Sequence, residues 1–102
     1  MQPRDENALT EHRLVRVRGI VQGVGFRDSC MRHARAHGIA GWVRNRRDGS
    51  VEALLQGSPQ QLAQMCDWLR HGVPGARVDA LDQSEVQPPP ALADGFDILP
   101  TV

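Results

Sequence analysis

The sequence predicts an α+β sandwich in which two helices cover one face of an antiparallel sheet, and three observations predict it. Short segments of alternating apolar and polar residues recur four times along the 102 residues. Two other segments carry their apolar residues at intervals of three and four, the spacing of a helical stripe. The order strand–helix–strand–strand–helix–strand puts an Asp-Gly turn at the one junction where strand follows strand directly. One helix layer over one sheet layer gives each half-apolar element a place to bury its apolar side. The length allows one such domain and not two.

Each element has its own signal. Residues 1–11 are polar and without period, and are expected to form a flexible tail ahead of a domain spanning 12–102. From His12, HRLVRVRG sets Val15 and Val17 against Arg16 and Arg18, a half-buried strand that Gly19 ends. Gly19, Gly23 and Gly25 then crowd into a tight turn. FRDSCMRHARAHG places Phe26, Cys30, Ala34 and His37 on one helical stripe closed by Gly38. IAGWVRNR reads as a second strand and RDGS as a hairpin turn, whose two central residues are both favoured at positive φ. SVEALLQG returns with Val51, Ala53 and Leu55 on one face.

The second helix is announced by Ser58 as N-cap, Pro59 at the first helical position and Gln61 completing a capping box. Leu62, Met65, Cys66 and Leu69 form its stripe, and Gly72, Pro74 and Gly75 close it. ARVDALDQSEV is a fourth strand, Pro88–Pro90 lies in a loop, and GFDILPTV holds a short fifth strand. The layout is the split βαβ, ferredoxin-like arrangement. Binding modules, metal carriers and enzymes all use it, so function has to be read from a site.

Composition narrows the classes. No apolar run approaches a membrane span, MQPRDENALTEH lacks the apolar stretch of a secretory signal, and two Cys cannot build a disulfide framework. A cytoplasmic protein with no membrane partner is expected. All twelve basic residues are Arg. Residues 13–47 hold nine of them against Asp28 alone, whereas residues 48–102 hold two against eight acids. That polarity suits an anionic ligand, or two halves that interleave in one fold. A neutral total, no Tyr and four aromatic residues argue against nucleic acid as a partner.

The strongest local feature is GIVQGVGFR at 19–27, a strand, a Gly-rich turn and the first turn of a helix. Inward-pointing amides, a positive helix end and a guanidinium at Arg27 would make an anion cradle. The same residues also suit a tight structural turn followed by an Arg paired with a surface acid. It is neither a Walker A loop nor a dinucleotide fingerprint. Asn45, just before the Asp-Gly turn, can donate and accept at once and so orient a water, or can stabilise the turn. There is no CxxC, HxH or HExxH, and Ser29 and Ser58 have no His–Asp relay. No metal, no cofactor and no covalent nucleophile are expected. Cys30 and Cys66, each on a helix stripe, are expected to be buried small hydrophobes.

Together, GIVQGVGFR and GWVRNRRDGSVE at 41–52 resemble the acylphosphatase pattern, GxVQGVxFR followed after one helix by GxVxNxxDGxVE. Gly38, Ile39, Phe96 and Ile98 are also similar to the family, and the resemblance covers about residues 12–99. Many members carry a basic residue where this chain has Ile20. The resemblance implies hydrolysis of a carboxyl–phosphate bond to a carboxylate and inorganic phosphate, without metal or phosphoenzyme. It implies catalytic roles for Arg27, on the phosphate, and Asn45, on the attacking water. It implies that Gln22, Gly23, Val24, Gly25, Phe26 and Arg27 bind the substrate phosphate. The expected partner is then a small-molecule acyl phosphate, with inorganic phosphate or sulfate competing, and the expected state a monomer. The alternative is a non-catalytic domain that binds acyl phosphate or carbamoyl phosphate, as in larger maturation proteins.

Overall fold

The computed structural model describes residues 10–102. The tail expected ahead of the domain lies outside the described residues up to position 9; the first strand begins at Glu11. The chain runs β1 (Glu11–Ile20), α1 (Phe26–Ala36), β2 (Ala40–Asn45), β3 (Val51–Gly57), α2 (Pro59–His71), β4 (Arg77–Glu85) and β5 (Phe96–Ile98). Strand order is β4-β1-β3-β2-β5. The four long strands pair antiparallel, as expected for hairpin and crossover connections. After β4, on one edge, the chain crosses to the far edge and lays β5 parallel to β2, pairing Gly41 with Phe96 and Val43 with Ile98.

The alternation in the sequence decides which face is which. Val15, Val17, Val43, Val51, Ala53 and Leu55 are buried against α1 and α2. Phe26, Cys30 and Ala34 face them from α1, and Leu62, Met65, Cys66 and Leu69 from α2. Fully burying a Leu, Met or Phe stabilises by about 1.5–3 kcal/mol relative to leaving it exposed. Both Cys are free and buried, as expected. His37, expected on the buried stripe, is instead exposed at the C-cap of α1. Its ring stacks on His33, which also stacks on Trp68.

On the uncovered face the positive half of the chain meets the negative half. Glu52 on β3 is 4% exposed and takes Arg44 at 2.8 Å and Arg16 and Arg46 at 3.1 Å. Arg18 pairs with Asp82 across the β1–β4 boundary. The two halves therefore interleave, and most of the Arg excess is neutralised within the fold.

The helices begin in opposite ways. At α2, Ser58 Oγ accepts from the Gln61 amide at 3.1 Å while Gln61 Oε1 accepts from the Ser58 amide at 2.9 Å. That satisfies donors a helix start leaves open. At α1 the N-cap is Gly25, in the left-handed region, with no side chain to accept anything. One helix start is closed by its own sequence; the other is left open.

Candidate active site

The open start of α1 is where the predicted site residues converge. Gly23 and Gly25 both sit at φ 78°, a conformation other residues pay to adopt, and this alternation turns successive amides the same way. The first backbone bond of α1 runs from the Ser29 amide to the Gly25 carbonyl at 3.0 Å. Among the described residues nothing accepts from the amides of 23–28. These donors, at the positive end of a helix, are suited to an anion.

A cleft of about 210 Å³ opens over them, walled by Gln22, Gly23, Gly25, Phe26 and Arg27 on one side and by Asn45 and Ile98 on the other. Arg27 settles part of the ambiguity in its motif. It is not paired with any acid among the described residues. The neighbouring acid, Asp28, is paired with Arg32, one turn along the helix. Among the described residues Arg47 and Arg70 also lack acidic partners, but both are exposed, whereas Arg27 is half-buried at the cleft.

Asn45 is the last residue of β2, and the hairpin does not use its side chain. The turn is held by Asp48, whose Oδ1 accepts from the Ser50 amide at 2.9 Å and hydroxyl at 2.6 Å. Those two bonds hold the Asp48 carboxyl below its usual range. Gly49 alone takes positive φ, 93°, so the expectation of positive φ at both central residues is corrected. Arg46 donates to the Ser50 carbonyl and Gly49 to the Arg46 carbonyl, which makes a type I turn closed by a glycine bulge. The Asn45 Oδ1 is left buried, with no hydrogen-bond partner, beside the cleft. A buried, unpaired amide oxygen is uncommon, and each instance asks for a reason.

The geometry adds roles that the motifs did not separate. Gln22 Nε2 donates to the carbonyls of Arg46 and Ser50, both at 2.8 Å, so its side chain ties the Gly-rich loop to the Asn45 hairpin. Only its backbone amide is left for an anion. Val24 does not line the cleft; its side chain packs against the core. Phe26 is 2% exposed and forms the floor. Val21, Asp28 and Ile98 also line the cleft, and only the folded arrangement shows it. A second hollow, of about 250 Å³, lies on the uncovered sheet face among Arg16, Arg18, Glu52 and Asp82, where the charges already pair with one another. Among the described residues no group of three or more His, Cys, Asp or Glu is placed to hold a metal ion, and no helix is long and apolar enough to cross a membrane.

Comparison with known proteins agrees with the motifs. The acylphosphatase family profile matches residues 13–98. An acylphosphatase of Polaromonas naphthalenivorans is 54% identical over 98 residues, 96% of this chain and 97% of its own. Acylphosphatase 1 of Ralstonia nicotianae is 57% identical over 90 residues, 88% of each chain. The crystal structure of the Bacillus subtilis acylphosphatase superposes with a TM-score of 0.80 at 33% identity, covering 88% of this chain and 98% of that one. Profile, identity and fold coincide over nearly the whole length, and the chain belongs to the acylphosphatase family.

Proposed function

We propose that the chain hydrolyses the carboxyl–phosphate bond of acyl phosphates by cradling the phosphoryl group and positioning a water, with no metal and no covalent intermediate. The observation that carries this is the pairing, across one cleft, of a cation and a row of amides without partners and a buried amide oxygen without one. Arg27 and the amides of 22–27 hold the phosphoryl oxygens. Asn45 holds the water on the opposite side.

The chemistry needs little more. The water oxygen forms a bond to phosphorus while the bond from phosphorus to the acyl oxygen breaks. The departing carboxylate keeps the electron pair and is stable as an anion, so no general acid is required. The water's proton passes to a phosphoryl oxygen, and the products are a carboxylate and inorganic phosphate. What remains costly is the spread of charge over the phosphoryl oxygens and the alignment of the water. Preorganised donors and a positioned nucleophile lower that cost. Among the described residues no His lines the cleft, which suits a mechanism in which the substrate's own phosphate serves as base.

We propose that the chain acts as a monomer on a small molecule, and we place it in the cytoplasm. The purified chain should hydrolyse benzoyl phosphate in the presence of a chelator, with inorganic phosphate or sulfate competing. A requirement for added Mg²⁺ or Zn²⁺ would contradict the mechanism. A folded chain that binds phosphate without turnover would favour the non-catalytic acyl-phosphate or carbamoyl-phosphate binder instead.

A further inference from the structure

A volume of about 210 Å³ is below the roughly 300–1,000 Å³ that encloses a whole drug-sized ligand. With the phosphoryl group between Arg27, the amides and Asn45, the acyl part of a substrate has to leave across the rim. Two of the apolar walls, Val21 and Phe26, are 1% and 2% exposed and belong to the core. Ile98 is different. It is 39% exposed, and of the large exposed hydrophobics among the described residues it alone lines the cleft.

The fold fixes its place. Ile98 pairs with Val43 in the parallel register of β5 on β2, two residues before Asn45, and the Leu99 amide donates to the Val43 carbonyl at 2.9 Å. The remaining charged wall, Asp28, is already paired with Arg32. At the rim Ile98 therefore presents apolar surface, and among the described residues lining the cleft there is no cation beyond Arg27 for a second anionic group on the substrate.

We propose that Ile98 is the acyl-contact residue, and that it gives the chain a preference for acyl phosphates whose acyl group is uncharged and apolar. This rests on the cleft being the acyl-phosphate site. Contact with the acyl body is the same before and during phosphoryl transfer. It therefore acts as uniform binding and appears in KM more than in kcat.

The test compares benzoyl phosphate with acetyl phosphate in the parent, Ile98→Ala and Ile98→Thr. The Thr variant keeps the β-branched shape that suits the strand should the Ala variant fold poorly. In both variants the benzoyl-to-acetyl ratio of kcat/KM should fall about fivefold, through the KM for benzoyl phosphate. That is less than the ~10-fold or more a methylene is worth in an enclosed pocket, because the rim is open. A ratio within twofold of the parent's, or a loss of kcat shared by both substrates, overturns the assignment of Ile98 while leaving the hydrolytic reading intact. A folded parent that hydrolyses neither substrate overturns both.

Discussion

Asn45→Ala separates the two jobs assigned to the cleft. Among the described residues the buried Asn45 side-chain oxygen has no protein partner, and the hairpin beside it is tied by Asp48 and Ser50. The backbone carbonyl of Asn45, which accepts from the Val102 amide at 3.2 Å, is untouched by the substitution. Truncation thus removes no hydrogen bond that ties the hairpin. The variant should therefore be within about 1 kcal/mol of the parent in urea denaturation. Arg27 and the amides of 22–27 remain, so the Kd for inorganic phosphate, measured by calorimetry, should stay within a few-fold. Turnover of benzoyl phosphate should fall by about 10²–10³-fold, the range for removing one polar group aimed at the reacting atoms. Turnover near the parent's value would refute the role of Asn45. So would a joint loss of stability and phosphate binding, which would make it a scaffold residue.

Gln22→Ala removes both bonds from the loop to the hairpin and should cost about 1–3 kcal/mol of stability and at least tenfold in kcat/KM; an unperturbed rate would show that the loop is placed by other contacts. Burial pushes the Glu52 carboxyl up, but Arg44, Arg16 and Arg46 outweigh it and hold it below its ordinary value. A carboxyl depressed in the folded state stabilises above its unfolded pKa and loses that contribution as pH falls through the folded one. The urea midpoint should therefore drop as pH falls below about 4, and Glu52→Gln should flatten the drop while lowering stability at pH 7 by about 1–3 kcal/mol. An unaltered pH profile in that variant would remove Glu52 from the account. Burial pushes the Cys30 thiol up to about 12, and Cys66 is also raised by burial. Neither should react with a thiol reagent at pH 8 until the protein unfolds, and rapid labelling of the native protein would contradict the packing.

Much of this was legible because local and global signals agree. The α2 start carries Ser58, Pro59 and Gln61 in the order a capped helix needs, and the structure uses all three. Alternation in β1 and β3 assigned the core faces, since a half-buried strand permits one register. Less was legible where a residue's role depends on what lies across the fold. Glu52 reads locally as an outward polar residue. Only the pairing of β3 with β1 and β2 surrounds it with Arg16, Arg44 and Arg46. The nine Arg between residues 13 and 47 suited either an anionic ligand or acids from the second half, and only the fold shows the second-half acids Glu52 and Asp82 meeting Arg16 and Arg18. Gln22 sits inside the loop motif, yet its side chain serves a hairpin 24 residues away. β5 is three residues long, too short for a period to show its partner or direction. The missing cap at α1 was visible in the sequence as Gly25, but its meaning needed the neighbouring Arg27 without an acid.

The central claim is that the open amides of α1 and Arg27 form the phosphoryl site. Titration of the ¹⁵N-labelled chain with inorganic phosphate tests it most directly. Saturable shifts should concentrate on the amides of residues 22–28 and on the Arg27 side chain, and Arg27→Ala should weaken binding by at least tenfold, the loss of a charge-assisted hydrogen bond. Shifts centred on Arg16 and Arg18 of the uncovered sheet face, with the loop unmoved, would contradict it.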